Sequence, residues 1–118
     1  MKDITLKVTK VRKDEEENST TTSYDIYAGE ENIGHVCVET DYEDEDTRYA
    51  YIDSIVIQEQ HRNNGYGTAV IREISSMYFG AVLAPDNEDA KRLYERIGEE
   101  FNEDPFCYCD QGFGVYLV

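Results

Sequence analysis

The sequence predicts a mixed α/β (α+β) fold: a mostly antiparallel sheet of about six to seven strands carrying two main helices. Three observations predict it. Several segments in the first half of the 118-residue chain alternate apolar with polar residues, the period of half-buried strands. The period lengthens to that of a helix twice, once after residue 65 and once after residue 87. Between the two helical stretches lies a short apolar run bounded by glycine and proline, the pattern of a buried strand.

Residues 3–12 read as the first strand, with Ile4, Leu6 and Val8 alternating against polar neighbours. KDEEENSTTTS, residues 13–23, is charged and hydroxyl-rich with no apolar period, and reads as a mobile loop. Residues 24–28 and 33–39 read as strands joined through GEEN as a hairpin. TDYEDEDT, residues 40–47, holds five carboxylates that repel one another, so it reads as a solvated connection. RYAYIDSIVI, residues 48–57, is the richest strand signal, and its nearly continuous apolar end predicts a strand covered on both faces.

Val70, Ile71, Ile74, Met77 and Tyr78 then fall on one helical face, which Gly80 would end. AVLA, residues 81–84, reads as a short buried strand. Pro85, Asp86 and Asn87 announce a second helix lined by Ala90, Leu93, Tyr94 and Ile97, with Gly98 closing it. Glu88 and Asp89 at its start and Arg96 in its last turn suit the helix dipole. Two strands, residues 106–109 and 113–117, turned by DQG, complete the chain. An antiparallel meander thus leads into a β-α-β unit with a right-handed crossover. With no internal repeat and no linker, the expectation is one domain over residues 1–118.

Composition narrows the function. No apolar run reaches the ~18 residues that span a bilayer, and the first residues lack a signal-peptide core. The cytoplasm is therefore the expected compartment, and no membrane partner is expected. Three cysteines argue against a disulfide framework. Cys107 and Cys109 would share a face of a strand, where a joint metal is conceivable. No second Cys or His pair completes a zinc site, so they are read as small buried apolar groups and no metal is expected. His35 and His61 lack metal-ligand spacing. The net charge is −15, yet residues 61–97 carry five basic and five acidic side chains, so the whole excess lies elsewhere. Such acidity disfavours nucleic acid, which needs clustered Lys and Arg. It would attract a cationic partner, or serve solubility alone.

HRNNGYGTAVI, residues 61–71, admits three readings. Asn64-Gly65 suits a hairpin turn, but a helical period follows it. Gly65-x-Gly67 begins a dinucleotide fingerprint, but Val70 stands where the third glycine belongs. The physics favours a strand-to-helix loop whose backbone N–H groups face an anion. A helix start has four unpaired donors and a partial positive charge, glycine permits close approach, and Arg62 adds a cation.

Arg62-x-x-Gly65-x-Gly67 follows the strand Ile52, Asp53, Ser54, Ile55, Val56, Ile57. About twenty residues later come Asn87, Ala90, Leu93, Tyr94, Glu95 and Gly98, as N-x-x-A-x-x-L-Y-E-x-x-G. In this order and spacing, over roughly residues 51–98, the two blocks resemble the GNAT superfamily of N-acetyltransferases. The resemblance implies a GNAT-like sheet that splays open beside its central strand, with acetyl-coenzyme A in the gap. Arg62, Asn63, Asn64, Gly65, Tyr66, Gly67 and Thr68 would hold its pyrophosphate. The edge at Ile55, Val56 and Ile57 would bond the pantetheine arm, and Asn87 would reach the cofactor. Tyr94 sits where the family often keeps the acid that protonates the departing thiolate. By residue chemistry alone it reads as a core tyrosine, and only the resemblance brings the functional role level with that reading; Asn87 also reads as a helix cap.

An amine with the lysine pKa of ~10.4 is neutral in about one molecule in a thousand or fewer at pH 7, so an acetyltransferase must deliver that minority form or remove the proton through a carboxylate or water chain. Asp53 is the candidate base, because a lone mid-strand carboxylate is costly to bury. It could instead pair with a basic neighbour. Glu59 is second choice, and a water path without a single base is an equal alternative.

Many relatives wall the acceptor site with two helices after the first strand, and only about ten polar residues occupy that place here. The pocket is then open, built from the final hairpin and the acidic loop, or completed by a second subunit in a homodimer. The reading is an N-acetyltransferase moving acetyl from acetyl-coenzyme A to a primary amine by direct attack. A cationic peptide, a protein lysine or a polyamine would be drawn to the acidic segments 14–17 and 41–46. The alternative is a non-catalytic coenzyme-A-binding or protein-interaction module on the same fold.

Overall fold

The computed structural model describes residues 3–41, 49–108 and 112–118. Its strands are β1 (Thr5–Asp14), β2 (Ser19–Ala28), β3 (Glu31–Asp41), β4 (Ala50–Ile57), β5 (Ala81–Leu83), β6 (Cys107–Tyr108) and β7 (Gly114–Leu117). Helix α1 (Tyr66–Met77) lies between β4 and β5, and α2 (Glu88–Phe101) follows β5. One seven-stranded sheet runs in the order β1-β2-β3-β4-β5-β7-β6. Among the described residues, only the β4–β5 pair is parallel. The mixed, mostly antiparallel sheet with two helices is the fold class that the periodicities predict.

The expected loop over residues 13–23 is instead the turn of a long hairpin. β1 and β2 pair from Thr5↔Tyr27 to Asp14↔Ser19, leaving four residues, 15–18, to connect them. Asp14 Oδ1 accepts from the backbone N–H groups of Glu16 and Glu17 at 3.1 and 3.3 Å, and Asn18 takes a left-handed φ of 51°. Such a turn needs a carboxylate and an asparagine rather than apolar residues. The Ser-Thr run extends β2 because β-branched threonine suits a pleated strand with hydrogen-bonded neighbours on both edges. Two helices have no room in this connection.

The next hairpin is also tighter than GEEN suggests. Ala28 pairs with Glu31, so Gly29 and Glu30 alone make the turn. β3 then runs through Thr40 and Asp41. The rest of the expected acidic connection, Cys109, and the Asp110-Gln111 part of the final turn lie outside the described residues. Cys107 is exposed, which overturns its reading as a buried apolar group.

The core lies on one face of the sheet. Ile26, Val36, Val38, Ala50 and Ile52, each 0–1% exposed, join Val70, Ile71 and Ile74 of α1, each fully buried. Each such aliphatic side chain contributes roughly 1.5–3 kcal/mol on leaving water. The Tyr24 and Tyr78 hydroxyls meet at 3.3 Å and tie β2 to the end of α1. The opposite face stays open. Lys7, Asp25, His35 and Val56 form a row across four strands, and Lys7, His35 and Val56 are exposed. β4 is therefore covered on one face only, not both as its apolar run suggests: Tyr51 is 47% exposed and Val56 41%.

Neither helix stops at its expected glycine. α1 ends at Met77, with Tyr78 already extended. α2 continues through Gly98 to Phe101 and is capped by left-handed Asn102, so Arg96 is not in its last turn. Gly98 is a packing residue: a Cβ there would lie 2.5 Å from the Tyr116 ring of β7. Small size lets α2 lie close to β7, and the helix passes through because helical φ and ψ suit glycine as well as any residue.

Candidate active site

β4 and β5 pair only at Ala50↔Ala81 and Tyr51↔Val82. Beyond Tyr51 the two strands part, and a cleft of about 910 Å³ opens between β4, the start of α1 and one face of α2. In a strand, alternate backbone groups point to each edge. β3 occupies one edge of β4 as far as Gly34↔Ile57, so the other edge of residues 53–57 faces this cleft.

A β-bulge sits where the strands part. Cys37 pairs with Ser54 and Val38 with Ile52, leaving Asp53 as the extra residue. The bulge shifts the inward phase from Ala50 and Ile52 to Ile55 and Ile57, which pack on the same core. Asp53 is turned out, exposed, into the cleft. The expectation of a buried mid-strand carboxylate is thus corrected: the bulge removes the burial cost by re-aiming the residue.

The loop after β4 is held at three points. His61 Nε2 lies 3.0 Å from Glu31 Oε1. Arg62 Nε donates to the Ile57 carbonyl at 2.8 Å. Asn63, with a left-handed φ of 63°, accepts at Oδ1 from Arg96 Nη1 at 2.7 Å. Gly65 is the N-cap of α1 with φ 83°, a conformation that favours glycine, and no side chain caps the helix. Ala69 N–H already bonds the Gly65 carbonyl. The N–H groups of Tyr66, Gly67 and Thr68 precede the first intrahelical bond and stand at the positive end of the helix dipole. Gly67 has a packing reason: its Cβ would sit 3.2 Å from Leu93 Cδ1 of α2. The two helices converge there, closing the floor of the cleft.

At the other end stands Tyr94, 3% exposed, on the inward face of α2. It lines the cleft, to which its hydroxyl opens, and no other described residue hydrogen-bonds that hydroxyl. Burial first, then the Asp86 and Asp53 carboxylates and the Tyr51 phenol, push its pKa up to about 12. It is a proton donor throughout the neutral range. Asn87 is the N-cap of α2, its Oδ1 accepting from Ala90 N–H at 2.8 Å, while its Nδ2 donates to Asp86 Oδ1 at 2.9 Å. It also borders the cleft.

Most residues singled out from the sequence converge on this space: Asp53, Ile55, Val56, Ile57, Arg62, Asn63, Gly65, Tyr66, Gly67, Thr68, Asn87 and Tyr94 all line it. Asn64 does not, and neither does Glu59, which lies in an exposed 3-10 turn, Glu59–His61. Sequence reasoning missed His61, Asp86, Arg92 and Arg96. Arg92 and Arg96 are four residues apart and share a helix face with Glu88, Asp89 and Glu99 close by in sequence, so they read as solvated surface. Their convergence on the glycine loop needs the packing of α2 on α1. Charge in the cleft is thereby split, with His61, Arg62, Arg92 and Arg96 around the glycine loop and Asp53 and Asp86 around Tyr94. The described residues include no cluster of three or more metal-ligating side chains, and no described helix is long and apolar enough to cross a membrane.

Residues 4–98 match the acetyltransferase (GNAT) family. The chain belongs to that family. Its members are generally acetyl-coenzyme-A-dependent acetyltransferases. Among solved structures, this GNAT protein is similar to an acetyltransferase from Thermus thermophilus, with a TM-score of 0.56 and 15% identity over 83% of this chain. It spans 64% of the length of that protein. A KacTA-DNA complex is similar at a TM-score of 0.54 and 15% identity, covering 83% of this chain and 67% of the other. At such identities the likeness is one of fold. No curated protein matches the sequence.

Proposed function

We propose that the protein transfers an acetyl group from acetyl-coenzyme A to a primary amine by direct attack. The observation that carries this reading is Tyr94: 3% exposed, protonated, its hydroxyl open to a cleft whose far end offers amide donors and cations. The cosubstrate, when bound, supplies an activated thioester. The residues present fit it. The uncapped start of α1 and its neighbouring arginines suit a diphosphate, and the unpaired edge of β4 suits an amide-bearing arm.

In this reading the backbone N–H groups of Tyr66, Gly67 and Thr68 fix the phosphates, and the β4 edge aligns the arm toward Tyr94. Asp53, exposed at the bulge, takes the amine proton directly or through water. Tyr94 gives its proton to the departing sulfur. Glu59, outside the cleft, has no part in this scheme. Replacing Tyr94 by phenylalanine tests it. General acid catalysis is worth roughly 10²–10⁴-fold, so kcat should fall at least ~100-fold while coenzyme A affinity by calorimetry stays unchanged. Stability should change little, because no hydrogen bond is lost. Full turnover in this variant would refute the assignment. The open face left by the short β1–β2 turn favours one other reading, a coenzyme-A-binding or interaction module. That reading requires coenzyme A binding, or none, with no transfer to any amine.

A further inference from the structure

Asp86 has no place in the scheme above, yet it stands beside the reacting groups. It lies in the connection from β5 to α2, lines the same cleft as Asp53, and its carboxylate is held at Oδ1 by Asn87 Nδ2 at 2.9 Å. Asp53 and Asp86 come from opposite lips of the gap between β4 and β5, and both act on the Tyr94 hydroxyl. Neither forms an ion pair among the described residues. The basic residues of the cleft are engaged elsewhere: Arg62 with the Ile57 carbonyl, Arg96 with Asn63, Arg92 with Asp89, and His61 with Glu31. Both carboxylates are exposed. The same cleft is lined by the Tyr94 phenol, a residue 3% exposed with no hydrogen bond to another described residue. Two negative charges without a counterion among those residues, lining one cleft with a phenol whose hydroxyl opens to it, describe the complement of an ammonium group. An –NH₃⁺ has three donors and one charge, and it can bond two carboxylates and the phenol oxygen together.

We propose that Asp86 and Asp53 form an ammonium-binding clamp across the mouth of the cleft, with Asp86 the residue that makes a protonated primary alkyl amine the preferred acceptor. The inference rests on the acetyl-transfer reading and sharpens it. Asp53 takes up the proton, and Asp86 keeps its charge and holds the substrate. A neutral arylamine gains nothing from Asp86, and a quaternary ammonium has no N–H to donate. The opposite sign at the glycine-loop end keeps the amine from occupying the phosphate region.

The test uses the intact chain with n-butylamine and an arylamine as acceptors, comparing wild type with Asp86→Asn. Loss of one charge-assisted hydrogen bond should raise KM for n-butylamine about tenfold or more. KM for the arylamine and the calorimetric affinity for coenzyme A should stay unchanged. A second readout needs no turnover. With ¹³C-labelled tyrosine, the Tyr94 ring resonance should shift on adding n-butylammonium chloride to wild type, and should not shift with tetramethylammonium chloride or in the Asp53→Asn, Asp86→Asn double variant. Coenzyme A binding without that shift, or equal loss on both acceptors in Asp86→Asn, would overturn the clamp and leave acetyl transfer standing. No heat with coenzyme A and no transfer would remove the acetyl-transfer reading and the clamp with it.

Discussion

The two halves of β4 live in different surroundings. At its start, Ala50 and Tyr51 pair with β5, Tyr51 and Ile52 pair with β3, and the inward side chains of Ala50 and Ile52 are fully buried. From Asp53 onward it keeps β3 but loses β5, and its free edge meets a charged cleft. The first half is held by packing on α1 and by pairing with β5 at Ala50 and Tyr51 and with β3 at Tyr51 and Ile52. The second half gives up one edge, and the same backbone groups become available to a ligand. The bulge at Asp53 marks the change and lets both halves share one core.

Substitutions on either side of that bulge should separate stability from activity. The largest effect is expected on the paired half: Ile52→Ala should lower the unfolding free energy by about 2–5 kcal/mol in urea melts, through lost burial and a cavity. A smaller loss would mean that the strand ends are not fastened as described. At the head of α2, Asn87→Ala removes the bond to Ala90 N–H and should cost about 1 kcal/mol, with a change in KM for acetyl-coenzyme A only if the cap also serves the ligand.

Alkaline pH sharpens the comparison further. Tyr94 holds its proton more tightly in the folded state than in the unfolded chain, where tyrosine titrates near ~10. Below pH ~10 both states are protonated and the group adds no pH dependence. Between about 10 and 12 the unfolded state alone releases its proton, so stability falls across that window. Replacing Asp86 or Asp53 with asparagine should bring the Tyr94 pKa part of the way back toward ~10, as read by ¹³C-tyrosine resonances. Only part returns, because burial is the larger cause. The smallest effect is expected at Val11→Thr, on the exposed outer hairpin: within about ±0.5 kcal/mol, since Val11 is already 54% exposed.

Legibility along the chain followed the same divide. The β4-loop-α1-β5-α2 order was readable because each element carries its own period and its own cap, from the apolar stripe of α1 to the Pro85-Asp86-Asn87 start of α2. Even the bulge left a trace, since inward apolar residues fall at 50 and 52 and then at 55 and 57. The outer hairpin was missed because its strands are polar: Thr20, Thr21, Thr22 and Ser23 are half-buried residues held by backbone pairing, which leaves no hydrophobic signature. Gly98 was misread as a stop because its reason is the Tyr116 ring, eighteen residues away in sequence.

By itself the sequence determined the order of strands and helices, the glycine loop that begins α1, and the tyrosine on the inward face of α2. Those features rest on local periodicity, turn chemistry and capping, which act over a few residues. Only the tertiary structure decided where β4 leaves β5, that Asp53 points outward, and that Asp86 joins it at Tyr94 while Arg92 and Arg96 join the glycine loop. Such convergence depends on how α2 packs against α1 and β7, between groups that no local pattern connects.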